Sequence, residues 1–173
     1  MRWRQTPQID LEVSVLDYVY GHDKVVADFV ASLIPAVREY GFSAASKAIG
    51  VVEDGKLIAG LVYHNFDPGA GVIEMSGAAI RGKLWLTSET LRRIYDYPFL
   101  EVGAQMVVMR VAEENTTLLR VLAAIGYTFI LVPRLLGYDK NCVLCTLTFE
   151  DWSSNKFNER DRRRLSTEKA KAA

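Results

Sequence analysis

Hydrophobic positions recur along the chain with two different periods. Val25, Val26, Phe29, Val30, Leu33, Ile34 and Val37 fall on one stripe at three- and four-residue spacing. That pattern predicts a core-facing helix, with Pro35 as its kink or end and Gly41 closing the segment. The period then drops to two. The run "KAIGVVEDGKLIAGLVYHNF" alternates on either side of Asp54-Gly55, a dipeptide that favours a two-residue hairpin turn. "DPGAG" reads as a turn and "GVIEMSGAAI" as a further strand, so a meander of three antiparallel strands is expected.

Helical spacing returns at Leu91, Ile94, Tyr95, Pro98 and Phe99, with Thr87 or Ser88 as N-cap and Gly103 as the stop. "QMVVMRV" has the continuous apolar character of a buried strand. Asn115 can cap the free amides of "TTLLRVLAAI", and Gly126 can take the left-handed position after its last turn. "YTFILVPRLLG" and "NCVLCTLTF" read as a closing pair of long strands. The predicted order is α, β-β-β, α, β, α, β-β, without an internal repeat.

Composition narrows the function classes. The chain has 173 residues, half of them hydrophobic and 24% charged, which suits one ordinary domain with a real core. Its 21 basic residues balance 21 acidic ones, so no global charge draws it to nucleic acid, anionic lipid or an acidic substrate. No apolar run approaches the roughly 20 residues of a membrane helix, and "MRWRQTPQID" lacks a signal-peptide core, so a cytoplasmic protein without a membrane partner is expected. From residue 151 onward the chain becomes polar and basic. It reads as a charged tail, frayed helix or disordered, following a domain of residues 1–150. So few aromatics accompany the tail's charges that a solvated tail is favoured over a nucleic-acid arm. Cys142 and Cys145 stand three apart on a predicted strand and so face opposite ways. With only His22 and His64 elsewhere, no metal site or disulfide is expected.

The element order, and especially "VVMRVAEENTTLLRVLAAIGYTF" after "LRRIYDYPFLEVG", resembles the GNAT superfamily of acyl-CoA-dependent N-acetyltransferases, in the branch close to the ribosomal-protein N-terminal acetyltransferases. Asn115, Gly126 and Tyr127 fit the frame of an Asn followed eleven residues later by Gly and an aromatic. The likeness runs from about Val25 to Phe149. It implies an α+β, three-layer fold: a mixed, mostly antiparallel sheet, splayed at its centre, with helices on both faces. In such a fold the strand "GVIEMSGAAI" parts from "QMVVMRV", and the pantetheine arm of acetyl-CoA lies along the unpaired backbone. The matching positions are Ala78, Ala79 and Ile80. The pyrophosphate would meet the following turn and helix start, at Trp85, Leu86, Thr87 and Ser88, with Asn115 beyond the neighbouring strand. This chain departs from the family's glycine-rich loop by placing Lys83, Leu84 and Trp85 there, while Arg81, Gly82 and Lys83 remain as donors. Trp85 could block the phosphate or stack on another part of the cosubstrate.

The implied reaction is acetyl transfer from acetyl-CoA to the primary amine of a small molecule or peptide, by direct attack in a ternary complex. It needs a base for the amine, a polarised thioester and a proton for the thiolate. Glu74, on one strand face with Ser76 and Ala78, is the candidate base. Relatives carry Ser or Tyr as the acid at positions matching Leu118 and Leu122, so Tyr127 or Tyr138 is the candidate replacement. The acceptor would enter near Tyr63, His64 and the Phe42 loop. A catalytically inactive binding module on the same fold is the alternative, and a homodimer fits the family.

Overall fold

The computed structural model describes residues 15–158. Seven strands form one sheet in the order β1-β2-β3-β4-β5-β7-β6. They are β1 (Leu16–Val19), β2 (Lys47–Glu53), β3 (Lys56–Asp67), β4 (Val72–Ala79), β5 (Met106–Ala112), β6 (Thr128–Gly137) and β7 (Lys140–Thr148). Helices α1 (Asp23–Leu33), α2 (Ser88–Asp96), α3 (Thr116–Ile125) and α4 (Phe149–Ser154) flank it. Every neighbouring pair is antiparallel except β4 and β5. The three-layer α+β architecture is the one expected.

Local signals place most of these elements. Asp54 and Gly55 adopt φ of 51° and 72°, so the hairpin turns where the dipeptide allows two successive positive values. The Asn115 side chain accepts from the Leu118 amide at 3.2 Å, and Gly126 closes α3 with φ 107° while donating to Leu122 and Ala123. Thr87 caps α2 by accepting from the Thr90 amide at 3.1 Å.

Two expectations are corrected, the width of the α1 stripe and the run of α2. Helix α1 ends at Leu33, because Ile34 precedes proline and takes extended angles of −104° and 109°. Its buried stripe is narrower than the pattern suggested: Val26 and Val30 are buried, whereas Val25 and Leu33 face outward. Helix α2 does not run on to Gly103. It widens into a π-helical turn over Tyr97–Glu101, since Pro98 has no amide with which to continue the α ladder. Helix α4 buries Trp152 against Tyr95, ring centroids 4.5 Å apart. Beyond residue 158 the predicted tail lies outside the described residues. Strand β1 carries no hydrophobic signature long enough to announce it and forms by pairing with β2.

The main core lies between the sheet and α2, α3 and α4, and gathers Leu61, Met75, Tyr95, Val107, Leu122 and Leu147. A smaller cluster joins Val26 and Val30 of α1 to Ala48 and Val62 on the opposite face. Among the described residues no helix is long and apolar enough to cross a membrane.

Helix α1 seats on two strand glycines. A Cβ added to Gly60 would stand 2.8 Å from methyl carbons of both Val26 and Val30. Gly60→Val should therefore lift α1 from the sheet and lower stability by about 1–3 kcal/mol, read as a fall in urea midpoint. An unchanged midpoint would show that the helix does not rest on that glycine.

Candidate active site

Strands β4 and β5 share only three residue pairs, Val72 with Met106, Ile73 with Val107 and Glu74 with Val108. Past Glu74, β4 pairs with β3 alone as far as Ala79, and past Val108, β5 pairs with β7 alone as far as Ala112. The sheet thus forks at Glu74, and the inner edge of β4 from Met75 to Ala79 has no strand neighbour among the described residues. A bulge in β3 between His64 and Asp67, with Asn65 at φ 50°, sits at the level of the fork. Bulges bend and twist a strand locally.

The small residues along this edge are explained by packing. A Cβ on Gly77 would collide with Leu61 at 2.4 Å. Ala78 packs against the α1 cluster, and Ala79 against Val51, Ile58 and Ala59. Their backbone edge stays open regardless.

Beyond β4, Ile80 continues the ladder by donating to the Ile58 carbonyl at 2.8 Å, and its side chain is exposed. Trp85 then anchors the loop. Its indole packs against the cluster of Val51, Ile58 and Ala59, which Leu16, Tyr18 and Ala79 also join, and against the main core. Its carbonyl accepts from Thr90 Oγ1 at 2.8 Å, and that hydroxyl also contacts Tyr18 Oη at 2.8 Å. Leu84 is 92% exposed and Leu86 is at the surface. Thr87 caps α2 and Ser88 begins it, so the helix start follows β4 after the loop of residues 80–87. Lys83 is ion-paired with Glu53, whereas Arg81 makes no ion pair among the described residues. Glu89, in the first turn, is held by Arg93 at 2.8 Å. Asn115 stands past the far end of β5, its side-chain oxygen engaged in capping α3.

Titratable groups gather on the α1 face at the fork. Glu74 Oε2 meets Arg110 at 3.2 Å and Oε1 accepts from Asn65 Nδ2 at 3.2 Å. His64, the cross-strand partner of Glu74, places Nε2 2.9 Å from Ser76 Oγ. The Phe42 ring lies 5.2 Å from the imidazole. Burial holds His64 below the usual histidine range, with Arg110 acting in the same direction and Glu74 against it. The buried Ser46 hydroxyl, one residue before β2, has no hydrogen-bond partner. Sequence reasoning missed Arg110, because its meeting with Glu74 depends on the β4–β5 register. Alternation along β4 was the signal that already placed Ser76 beside Glu74.

Tyr63 and Tyr127 are not brought together with Glu74. Both belong to the main core on the other face. Tyr63 donates its hydroxyl to the Ile94 carbonyl at 2.7 Å. Ile94 is the residue four before Pro98, so tyrosine supplies the donor that proline lacks. Its ring also lines a cavity of about 400 Å³ with Tyr97, Lys47 and Asp96. The Tyr127 and Tyr95 hydroxyls contact one another at 2.8 Å in the interior, and burial drives the Tyr127 phenol well above its ordinary range. Tyr138, in the β6–β7 turn, is 87% exposed. No group of three metal-binding side chains occurs among the described residues.

The sequence matches no protein-family model and no curated protein, so likeness to known proteins rests on structure. The fold is similar to RimJ from Mycobacterium smegmatis, solved with CoA-disulfide, at TM-score 0.56 and 21% identity over 65% of this chain. The match spans 57% of that protein, less than two thirds of its length. It is similar also to the spermidine/spermine N-acetyltransferase SpeG from Vibrio cholerae, at TM-score 0.61 and 14% identity over 77% of this chain and 92% of that one. A dodecameric spermidine N-acetyltransferase from Vibrio cholerae aligns at TM-score 0.52 and 15% identity over 64% of this chain and 67% of that one. The chain therefore has the fold of GNAT acetyltransferases.

Two hydroxyl assignments are testable by stability. Tyr63→Phe strands the Ile94 carbonyl and Tyr127→Phe strands the Tyr95 hydroxyl, so each should lower unfolding free energy by about 1–3 kcal/mol. Thermal and urea unfolding read the effect, and variants as stable as the parent would remove the structural role given to these phenols.

Proposed function

We propose that the chain is an N-acetyltransferase that carries an acetyl group from acetyl-CoA to a primary amine by direct attack in a ternary complex. The observation that carries this reading is the fork at Glu74, whose open β4 edge leads to the capped start of α2. Unpaired backbone groups on an edge suit an extended amide-containing chain, and a helix start suits a diphosphate. The residues present fit acetyl-CoA: the Met75–Ala79 edge would hold pantetheine, and Thr87, Ser88 and Arg81 the phosphates. Trp85 packs against the Val51, Ile58 and Ala59 cluster and against the main core, so its indole supports the loop.

Glu74 attracts the acceptor's ammonium and takes its proton, directly or through water. Asn65 and Arg110 hold the carboxylate at the fork, where the amine and the thioester would meet. A backbone amide of the open edge polarises the thioester carbonyl. At the two positions where relatives place an acid the chain has Leu118 and Leu122, and Leu122 is 3% exposed. Tyr127 acts from the interior as a packing partner of Tyr95. General acid help is worth roughly 10²–10⁴-fold, so the reaction without it is slower and still open to the chain.

A cleft that binds without turnover is the second reading, favoured by those two leucines. The acceptor is a small-molecule or peptide amine. Support for a homodimer comes from β6, the terminal strand of the sheet, which exposes Phe129, Ile130 and Leu131.

Calorimetry with acetyl-CoA, followed by an acetylation assay across a panel of amines, tests the proposal. We expect saturable heat, a raised melting temperature and product, with Glu74→Gln lowering kcat by about 10²-fold or more while leaving acetyl-CoA binding intact. Heat without product would favour the binding module; no heat and no thermal shift at saturating ligand would end both readings.

A further inference from the structure

We propose that Ser76 and His64 form a nucleophile and base pair that accepts an acyl group from an activated ester or thioester when no amine is present, giving the chain an esterase activity of its own. Ser76 lies two residues past the fork, on the strand whose inner edge is open, and it is half-buried rather than sealed. Its Oγ is 2.9 Å from His64 Nε2, which is hydrogen-bonding distance for proton transfer between a hydroxyl and an imidazole. The Phe42 ring at 5.2 Å supports the imidazole on its outer side. Glu74 on β4 and Arg110 on β5 are the charged groups that act on it, and they pair with each other at 3.2 Å, so neither charge stands alone beside the ring. Burial disfavours the imidazolium, leaving a lone pair available near neutral pH. In the tautomer protonated at Nδ1, the serine donates to Nε2.

The chemistry balances with water as the only co-reactant. The Ser76 proton passes to Nε2 as Oγ bonds to the acyl carbon, and the bond to the leaving thiolate or phenolate breaks. That leaving group takes the proton from Nε2. Water then gives a proton to Nε2 and attacks the seryl ester, and the serine oxygen leaves and recovers the proton. The sum is acyl ester plus water giving carboxylic acid plus thiol or phenol. Backbone amides on the unpaired edge between Met75 and Ala79 would serve as donors for the developing oxyanion.

Only the thioester half of this activity rests on the acetyl-CoA reading, and p-nitrophenyl acetate bypasses that half. The full chain treated with p-nitrophenyl acetate should release p-nitrophenolate in a burst and carry one acetyl group on the peptide containing Ser76, located by mass spectrometry. Ser76→Ala should lose both, Ser76→Cys should keep an acyl-enzyme, and His64→Gln should slow acylation by about 10²-fold. Absence of acetyl from Ser76, a burst of equal size from Ser76→Ala, or an undiminished rate in His64→Gln would overturn the pair. A parallel incubation with acetyl-CoA separates the two ideas. Ser76 labelled by the phenyl ester but not by acetyl-CoA upholds the pair and counts against the CoA cleft. Acetyl transfer from acetyl-CoA to an amine, with Ser76 unlabelled by either donor, does the reverse.

Discussion

The constraint on which the rest of the structure depends is the short ladder between β4 and β5. Each strand is held firmly on its outer side, β4 by β3 and β5 by β7. Three shared pairs are enough to keep the two halves in one sheet, and the rest of the boundary is free to open. Since a buried backbone without partners is costly, an edge left open within the fold calls for a ligand or solvent to satisfy it. A bulge in β3 lies at the level of Glu74, where the shared ladder ends.

What surrounds the fork is held by contacts that substitute for missing backbone bonds. Pro98 cannot donate to the Ile94 carbonyl, so the buried hydroxyl of Tyr63 reaches across from β3 and joins α2 to the sheet. At the other end of α2, Thr90 bonds both the Trp85 carbonyl and Tyr18, drawing the loop toward β1. These two ties set where the helix start stands relative to the open edge. Tyr63 and Trp85, which the family likeness suggests for substrate and phosphate, also take part in these ties.

The α1 face of the fork combines charge and neutral chemistry at close quarters. Glu74, Arg110 and Asn65 satisfy one another, while His64 and Ser76 form a separate neutral pair two residues along. Burial favours the neutral form of the His64 imidazole. The two groups are proposed for different tasks, the first for receiving an amine and its proton and the second for accepting a proton from a hydroxyl.

Much of this fold is legible along the chain. Alternation marked β2 to β4, the Asp54-Gly55 turn joined two of them, and Asn115 with Gly126 bounded α3, because these signals act between residues close in sequence. Alternation likewise put Glu74 and Ser76 on one face. The early end of α1 was readable in Pro35, whereas the π-helical turn after α2 required knowing what else could satisfy the Ile94 carbonyl. Strand β1 was hidden because four residues carry little periodicity and gain order only from β2. The seat of Trp152 was hidden because a single aromatic in a polar run reveals nothing about what it packs against. Arg110 beside Glu74, the interior pairing of Tyr127 with Tyr95, and the fork itself were decided by tertiary structure. Each depends on the register or approach of segments more than thirty residues apart, and local pattern carries no information about which row of one strand meets which row of another.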